Sequence, residues 1–242
     1  MNENAPPKGV LHLIPTPLGE NPPLEVLPLS VKKTVEDLDH FIVENEKIAR
    51  RFIKKITPQK NQVDLSLFPL NKYTTQNEID TYLNPCVQGI SMGLLSDAGC
   101  PGIADPGAVI VAKAHANRIK VIPHIGPSSI ILSLMSSGLN GQNFAFNGYL
   151  PIDKKQRAQS IQRLEKKALL DQQAQLFIET PYRSDALFQE LVQTLSPSTF
   201  LCVACDLNQP NEFILTQTAQ YWKKNNVNFN KRPCIFILDA GF

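Results

Sequence analysis

The sequence predicts an α/β protein of two domains: an N-terminal, mostly parallel sheet with helices on both faces, and a C-terminal mixed sheet. Three observations predict it. The 242 residues are 43% hydrophobic and 19% charged, which supplies a sizeable core and the length of one large or two small domains. As far as residue 122, short segments rich in Ile, Val and Leu alternate with helix-patterned ones, the order that builds a parallel sheet. Beyond it, strand-like segments outnumber the helices that could cross between them, so some must pair antiparallel. The joint lies at "PHIGPSS", which divides an N-terminal α/β domain over 1–122 from a C-terminal mixed α/β domain over 123–242.

Taken in order, "VLHLIP" (10–15), "HFIVEN" (40–45), "GISMGLLS" (89–96) and "IKVIPH" (119–124) read as the N-terminal strands. Between them "SVKKTVEDLD", "EKIARRFIKKI", "TQNEIDTYL" and "PGAVIVAKAHAN" read as helices, the third opened by a Thr75-x-x-Glu78 capping box. In the second half "PSSIILSLMSSGL" is helix-like. "FAFNGYL", "QLFIET", "FLCVAC", "EFILTQT" and "CIFILDA" are strand-like, with helices over 154–169 and 183–195 and a short one at "AQYWKK". Parallel sheets of this kind take ligands in the crevice outside the carboxyl ends of their strands.

At such an end stands "GLLSDAGCPGIADPG" (93–107). Glycine forfeits conformational entropy and proline a hydrogen-bond donor. A loop this dense in both is accounted for by a ligand that bare backbone must approach. Asp97 and Asp105 can accept hydrogen bonds there, and charge-assisted bonds are the stronger kind. The structural alternative is a turn or helix cap, with Asp105-Pro106 opening the following helix.

Composition excludes several classes. The net charge of +2 does not by itself imply a nucleic-acid partner, because binding depends on a local patch. No apolar run approaches the roughly 18 residues of a membrane span, and the N-terminus "MNENAPPKG" is polar, so the expected location is cytoplasmic. Cys202 and Cys205 have a C-x-x-C spacing inside a strand-like run, where residues three apart face opposite ways, so the expectation is two buried thiols. With no second pair, and with His12, His40, His115 and His124 scattered, no metal is expected.

Six segments in order, "LIPTPLG" (13–19), "LLSDAGCPGIADPG" (94–107), "VIPHIGPSS" (121–129), "FNGYLP" (146–151), "FIETPYR" (177–183) and "RPCIFIL" (232–238), resemble the tetrapyrrole methylase family of S-adenosylmethionine-dependent methyltransferases. The resemblance is greatest to the branch that methylates ribose 2′-hydroxyls of 16S rRNA. It implies a tetrapyrrole-methylase-like two-domain α/β enzyme, commonly a homodimer, that holds S-adenosylmethionine folded in the cleft between its domains. Position-matching implies cofactor contacts at Leu18, Asp97, Gly99, Ile103, Asp105, Ser128, Ser129, Ile178, Ala204 and Cys234. The chain lacks the G-x-G-x-x-G of common dinucleotide-binding sheets, so a cofactor here is held differently.

On the substrate side the resemblance gives Glu44, Glu179 and Arg183 as candidates for the chemistry, and rRNA or the small ribosomal subunit as partner. Two departures stand against it: the acidic, arginine-containing motif reads "VENEKIARR", and Gln209 in "CDLNQPNE" stands where the branch carries a lysine. Two alternatives follow, a methylase of the same fold acting on a small molecule such as a tetrapyrrole, and a cofactor-binding module without catalysis. The run "DKKQRAQSIQRLEKK" (153–167), with Lys154, Lys155, Arg157, Arg163, Lys166 and Lys167, is the best nucleic-acid candidate beside its ordinary reading as a solvated face.

Overall fold

Strand and helix alternate through the first half of the chain as their periodicities require. The computed structural model describes residues 7–225 and 227–241; part of the polar N-terminal stretch lies outside them. The N-terminal unit contains β1 (Val10–Ile14), α1 (Pro23–Val26), α2 (Leu29–Asp37), β2 (His40–Val43), α3 (Glu46–Ile56), β3 (Ser66–Pro69), α4 (Gln76–Thr81), α5 (Asn84–Val87), β4 (Met92–Leu95), α6 (Ala108–Ala116) and β5 (Lys120–Pro123). Its strands are ordered β3-β2-β4-β1-β5 and pair parallel throughout.

Alternation along these strands divides the core into two. Ile14, Phe41, Val43 and Leu95 pack with Val31, Val35, Phe52 and Ile53 of α2 and α3. Leu11, Ile42, Met92 and Leu94 pack with Cys86 of α5 and with Ile110 and Ala114 of α6. Helices therefore cover both faces. Gly93 is required on the first face, where a Cβ would stand 2.6 Å from the Phe41 ring and 3.1 Å from Ile14 Cδ1. Helix α3 forms because the Asn45 side chain accepts from the amides of Lys47 and Ile48 while Ala49, Phe52, Ile53 and Ile56 fall on one buried stripe. The Thr75–Glu78 capping box is present at α4.

The C-terminal unit contains α7 (Ser129–Ser137), β6 (Phe144–Tyr149), α8 (Lys154–Asp171), β7 (Ala174–Glu179), α9 (Ser184–Thr194), β8 (Phe200–Cys205), β9 (Phe213–Thr218), α10 (Ala219–Lys224) and β10 (Cys234–Asp239). Its sheet runs β6-β7-β10-β8-β9, with β6 parallel to β7 and every other pair antiparallel. Phe177, Phe236, Val203 and Leu201 pack under α8, α9 and α10. The other face meets α7, where Thr216 Oγ1 donates to the Ser137 carbonyl. The division between the units, Met1–Ser128 and Ser129–Phe242, falls inside "PHIGPSS".

The cysteine expectation is corrected here. Cys202 is a buried free thiol, pushed up to about 11 by burial. Cys205 is instead bonded to Cys234. The antiparallel register of β8 and β10 places those two residues directly opposite each other, and residues so paired project their side chains to the same face.

Candidate functional site

The loop after β4 is built by main-chain bonds to the end of β1. Thr16 and Gly99 exchange both amide–carbonyl bonds, at 3.0 and 3.1 Å. Thr16 Oγ1 donates to the Ser96 carbonyl, and Ser96 Oγ donates to the Gly99 carbonyl. Both hydroxyl residues are buried. Sequence reading did not single out either residue, although both lie inside quoted segments, Thr16 in "LIPTPLG" and Ser96 in "LLSDAGCPGIADPG". Gly99 and Gly102 have φ of +82°, and Ala104, an L residue, sits at +59°. Backbone held in the left-handed region by its surroundings is characteristic of ligand-binding loops. A Cβ on Gly99 would lie 3.2 Å from Leu18 Cδ2, so the fold brings those two predicted residues together. Ile103 is exposed on the same loop.

Three carboxylates converge on the carboxyl ends of β2 and β4. Glu44 follows β2, and its Oε1 accepts the Asp97 amide at 2.9 Å. Asp105 Oδ1 accepts the amides of Gly102 and Gly107 at 2.7 and 2.8 Å and so shapes the loop. It does not cap α6 at its side chain, because that helix begins only at Ala108. Burial pushes all three carboxyls above the ordinary range, and for Glu44 the charges of Asp105 and Asp97 add to it. Among the described residues none of the three makes an ion pair. A shallow depression beside them is lined by Thr16, Pro17, Gly19, Arg51, Phe52 and Asp97. Arg51 is turned to Glu20, 3.0 Å away.

In the C-terminal unit Ile178 and Ala204 flank Ile235 in one row of the sheet. Ala204 faces the α7 side, the helix that Ser129 begins, while Ser128 precedes it. Cys234 is one residue out of that row, so its side chain takes the opposite face and enters the disulfide. Glu179 and Arg183 hold each other: Glu179 Oε1 accepts from Arg183 Nη2 at 2.7 Å, from Arg183 Nε at 3.0 Å and from the Thr180 amide. The Glu179 side chain is 1% exposed. That pair joins the end of β7 to the start of α9. Gln209 lies in a turn with Asp206 and Asn208 at positive φ.

The basic helix α8 divides in two. Arg157 is corrected from phosphate candidate to structural residue: its Nη2 lies 2.6 Å from Glu190, and its Nη1 donates to the Ile152 carbonyl. The guanidinium is spent inside the unit because position 157 falls beside the buried stripe of Ile161, Leu164 and Ala168. Lys154, Lys155, Arg163, Lys166 and Lys167 are exposed.

No helix is long and apolar enough to cross a membrane, and no group of three metal-binding side chains occurs, both among the described residues. No family model matches the chain. It is 28% identical over 237 residues to "Ribosomal RNA small subunit methyltransferase I" of Buchnera aphidicola subsp. Schizaphis graminum, covering 97% of this chain and 79% of that one. It is also 28% identical over 205 residues to the Vibrio cholerae protein of the same name, covering 85% and 67%. The Escherichia coli O157:H7 protein is 26% identical over 236 residues, covering 96% and 78%. The crystal structure of the methyltransferase CobJ superposes with a TM-score of 0.62 at 14% identity, covering 96% of this chain and 94% of that one, a likeness of fold.

Proposed function

We propose that this chain, a methyltransferase with the fold and motifs of the tetrapyrrole methylases, transfers a methyl group from S-adenosylmethionine to a ribose 2′-hydroxyl of small-subunit rRNA. The observation that carries the cofactor is the trio Glu44, Asp97 and Asp105: half-buried carboxylates that no lysine or arginine neutralises among the described residues. A ligand bearing an ammonium and a sulfonium supplies the missing positive charge. Bound there, the cofactor would provide the electrophilic methyl group.

The chain's own part is positioning, since in-line displacement depends on holding reactants in line. Asp97 and the open backbone of Gly99 and Gly102 would hold the cofactor, with Leu18 beside them. Glu44 holds the Asp97 amide and adds its charge. Asp105 is occupied with the loop's own amides. Ile103, Ser128, Ser129, Ile178, Ala204 and the Cys234 main chain are proposed contacts by position-matching. Glu179 and Arg183 act in this reading as an organising pair, because each already satisfies the other.

The rRNA acceptor rests on the relatives, which are small-subunit rRNA methyltransferases by name, and on the "PGIADPG" and "ETPYR" segments. A cytoplasmic homodimer is part of the same reading. The test is to incubate the chain and labelled cofactor with small ribosomal subunits from a strain lacking the activity, then map the label by mass spectrometry. A ribose methyl on 16S rRNA that disappears in Asp97→Ala is the expected result. Label found only in a small molecule would replace the acceptor, and tight cofactor binding with no label anywhere would leave a cofactor-binding module without catalysis; Gln209 and the altered "VENEKIARR" are the departures that stand against RNA. Absence of cofactor binding by a folded sample would end the proposal.

A further inference from the structure

We propose that the outer face of α8 is a phosphate-binding surface that holds the RNA substrate through Lys155, Arg163, Lys166 and Lys167. This rests on the reading of RNA as acceptor. At 3.6 residues per turn those four side chains fall within an arc of about 120° opposite Ile161, Leu164 and Ala168. The helix is 18 residues long, and the four cations are spread along roughly 18 Å of its axis, a span several backbone phosphates can match.

Three features separate this face from an ordinary solvated one. First, its charge is uncompensated: among the described residues none of the four side chains makes an ion pair or hydrogen bond. Second, the acids of the helix stand elsewhere. Glu165 lies outside the arc and is held by the Ser196 amide and the Thr199 hydroxyl, Asp153 caps the helix on the Gln156 amide, and Asp171 ends it. Between the four cations the arc holds glutamines, Gln156 and Gln159, which can also donate to phosphate or ribose oxygens. Third, the charges are placed against the helix's own stability. Lys154 and Lys155 occupy the first turn, where cations oppose the dipole, while the first turn has no acid and the last turn no base. A helix selected for stability alone would carry the reverse arrangement. An anionic polymer is the partner such a row complements, and the proposed acceptor is one.

The experiment measures binding of the full chain to deproteinised 16S rRNA across a series of KCl concentrations. The variant is Lys155→Gln, Arg163→Gln, Lys166→Gln and Lys167→Gln combined; a second variant exchanges lysine and arginine at the same four positions. Each phosphate contact contributes roughly 0.7–0.9 to the slope of log affinity against log salt. The glutamine variant is therefore expected to have a slope shallower by about 3 and an affinity at least tenfold lower near 100 mM salt. The charge-preserving variant should keep the wild-type slope, and cofactor affinity should be the same in all three. An unchanged slope in the glutamine variant, with wild type binding and methylating RNA, overturns this surface and leaves the proposed function standing. So does loss of binding to phosphatidylglycerol vesicles without change toward RNA. Wild type that fails to bind RNA even at low salt overturns the acceptor and the surface together.

Discussion

Glu44 reaches Asp97 through the main chain: the Glu44 carboxylate, just past β2, accepts the amide of Asp97, just past β4, at 2.9 Å. That bond ties the end of β2 to the first residues of the glycine loop after β4.

Two substitutions separate position from charge. In Glu44→Gln the amide oxygen can still accept from Asp97, so only the charge is lost. Glu44→Ala also leaves the Asp97 amide without its partner, which costs about 1–3 kcal/mol. S-adenosylmethionine affinity, measured by calorimetry, is expected to fall several-fold in the first and more than tenfold in the second. Equal affinity in wild type and both variants would remove Glu44 from the site. The pH response carries opposite signs for folding and binding. Burial raises Glu44, Asp97 and Asp105, so their contribution to stability is full below the ordinary carboxylate value of about 4 and lost as pH rises through the raised value. Binding of a cation needs the ionised forms and weakens as pH falls through that same window. Melting curves with and without cofactor across this range should therefore converge toward acid.

His12 Nδ1 lies 3.0 Å from His124 Nε2, joining β1 to the residue that follows β5. Burial lowers both, and the neighbouring His124 and Lys120 lower His12 further. One ring must accept, so at least one is neutral in the folded chain. The sign follows: the pair's contribution is present above the unfolded value of about 6.5 and is lost as pH falls through the depressed folded values. Denaturant midpoints should decline from pH 7 toward pH 5, and the decline should be shallower in His12→Gln. Parallel curves for the two proteins would show that the pair does not couple to folding.

Cys205 and Cys234 are 29 residues apart, and closing a loop of that size stabilises by about 3–4 kcal/mol in the chain-entropy treatment. Thiol titration in denaturant without reductant should count three reactive cysteines of the five, and reduction should lower the midpoint by a comparable amount. A count of five in protein purified from an aerobic host would show that the bridge does not form there.

The sequence carried most of the N-terminal sheet because parallel strands are buried on both faces and read as short apolar runs; "HFIV" and "MGLL" needed no tertiary information. β3 escaped because "SLFP" is an edge segment whose proline tolerates no central ladder position. α1 and α5 escaped because four residues hold too little periodicity to count. In the candidate site, residue type is what singled out Asp97 and Gly99, and the structure places both on the loop that follows β4. Only register could show that Cys234 pairs with Cys205, and only packing that Glu179 is sealed against Arg183. Helix α8 shows the same limit: its cations look alike in sequence, and their phase against Ile161, Leu164 and Ala168 decides which ones face solvent.

Arg157 and its helix neighbours should therefore respond differently to the same change. The Arg157 and Glu190 side chains are only 15% and 10% exposed, and the second Glu190 oxygen already lacks a partner. Arg157→Ala leaves a mostly buried carboxylate without its cation, at a cost on the order of 3 kcal/mol. Adding Glu190→Ala should recover part of that loss, since the second substitution removes the uncompensated charge. Arg163→Ala, on the outer face, should shift the midpoint by less than about 0.5 kcal/mol. The RNA measurement should invert the order, with Arg163→Ala flattening the salt slope and Arg157→Ala, once folded, leaving it as in wild type. A variant at 157 that keeps full stability while losing RNA affinity would return that arginine to the phosphate-binding face.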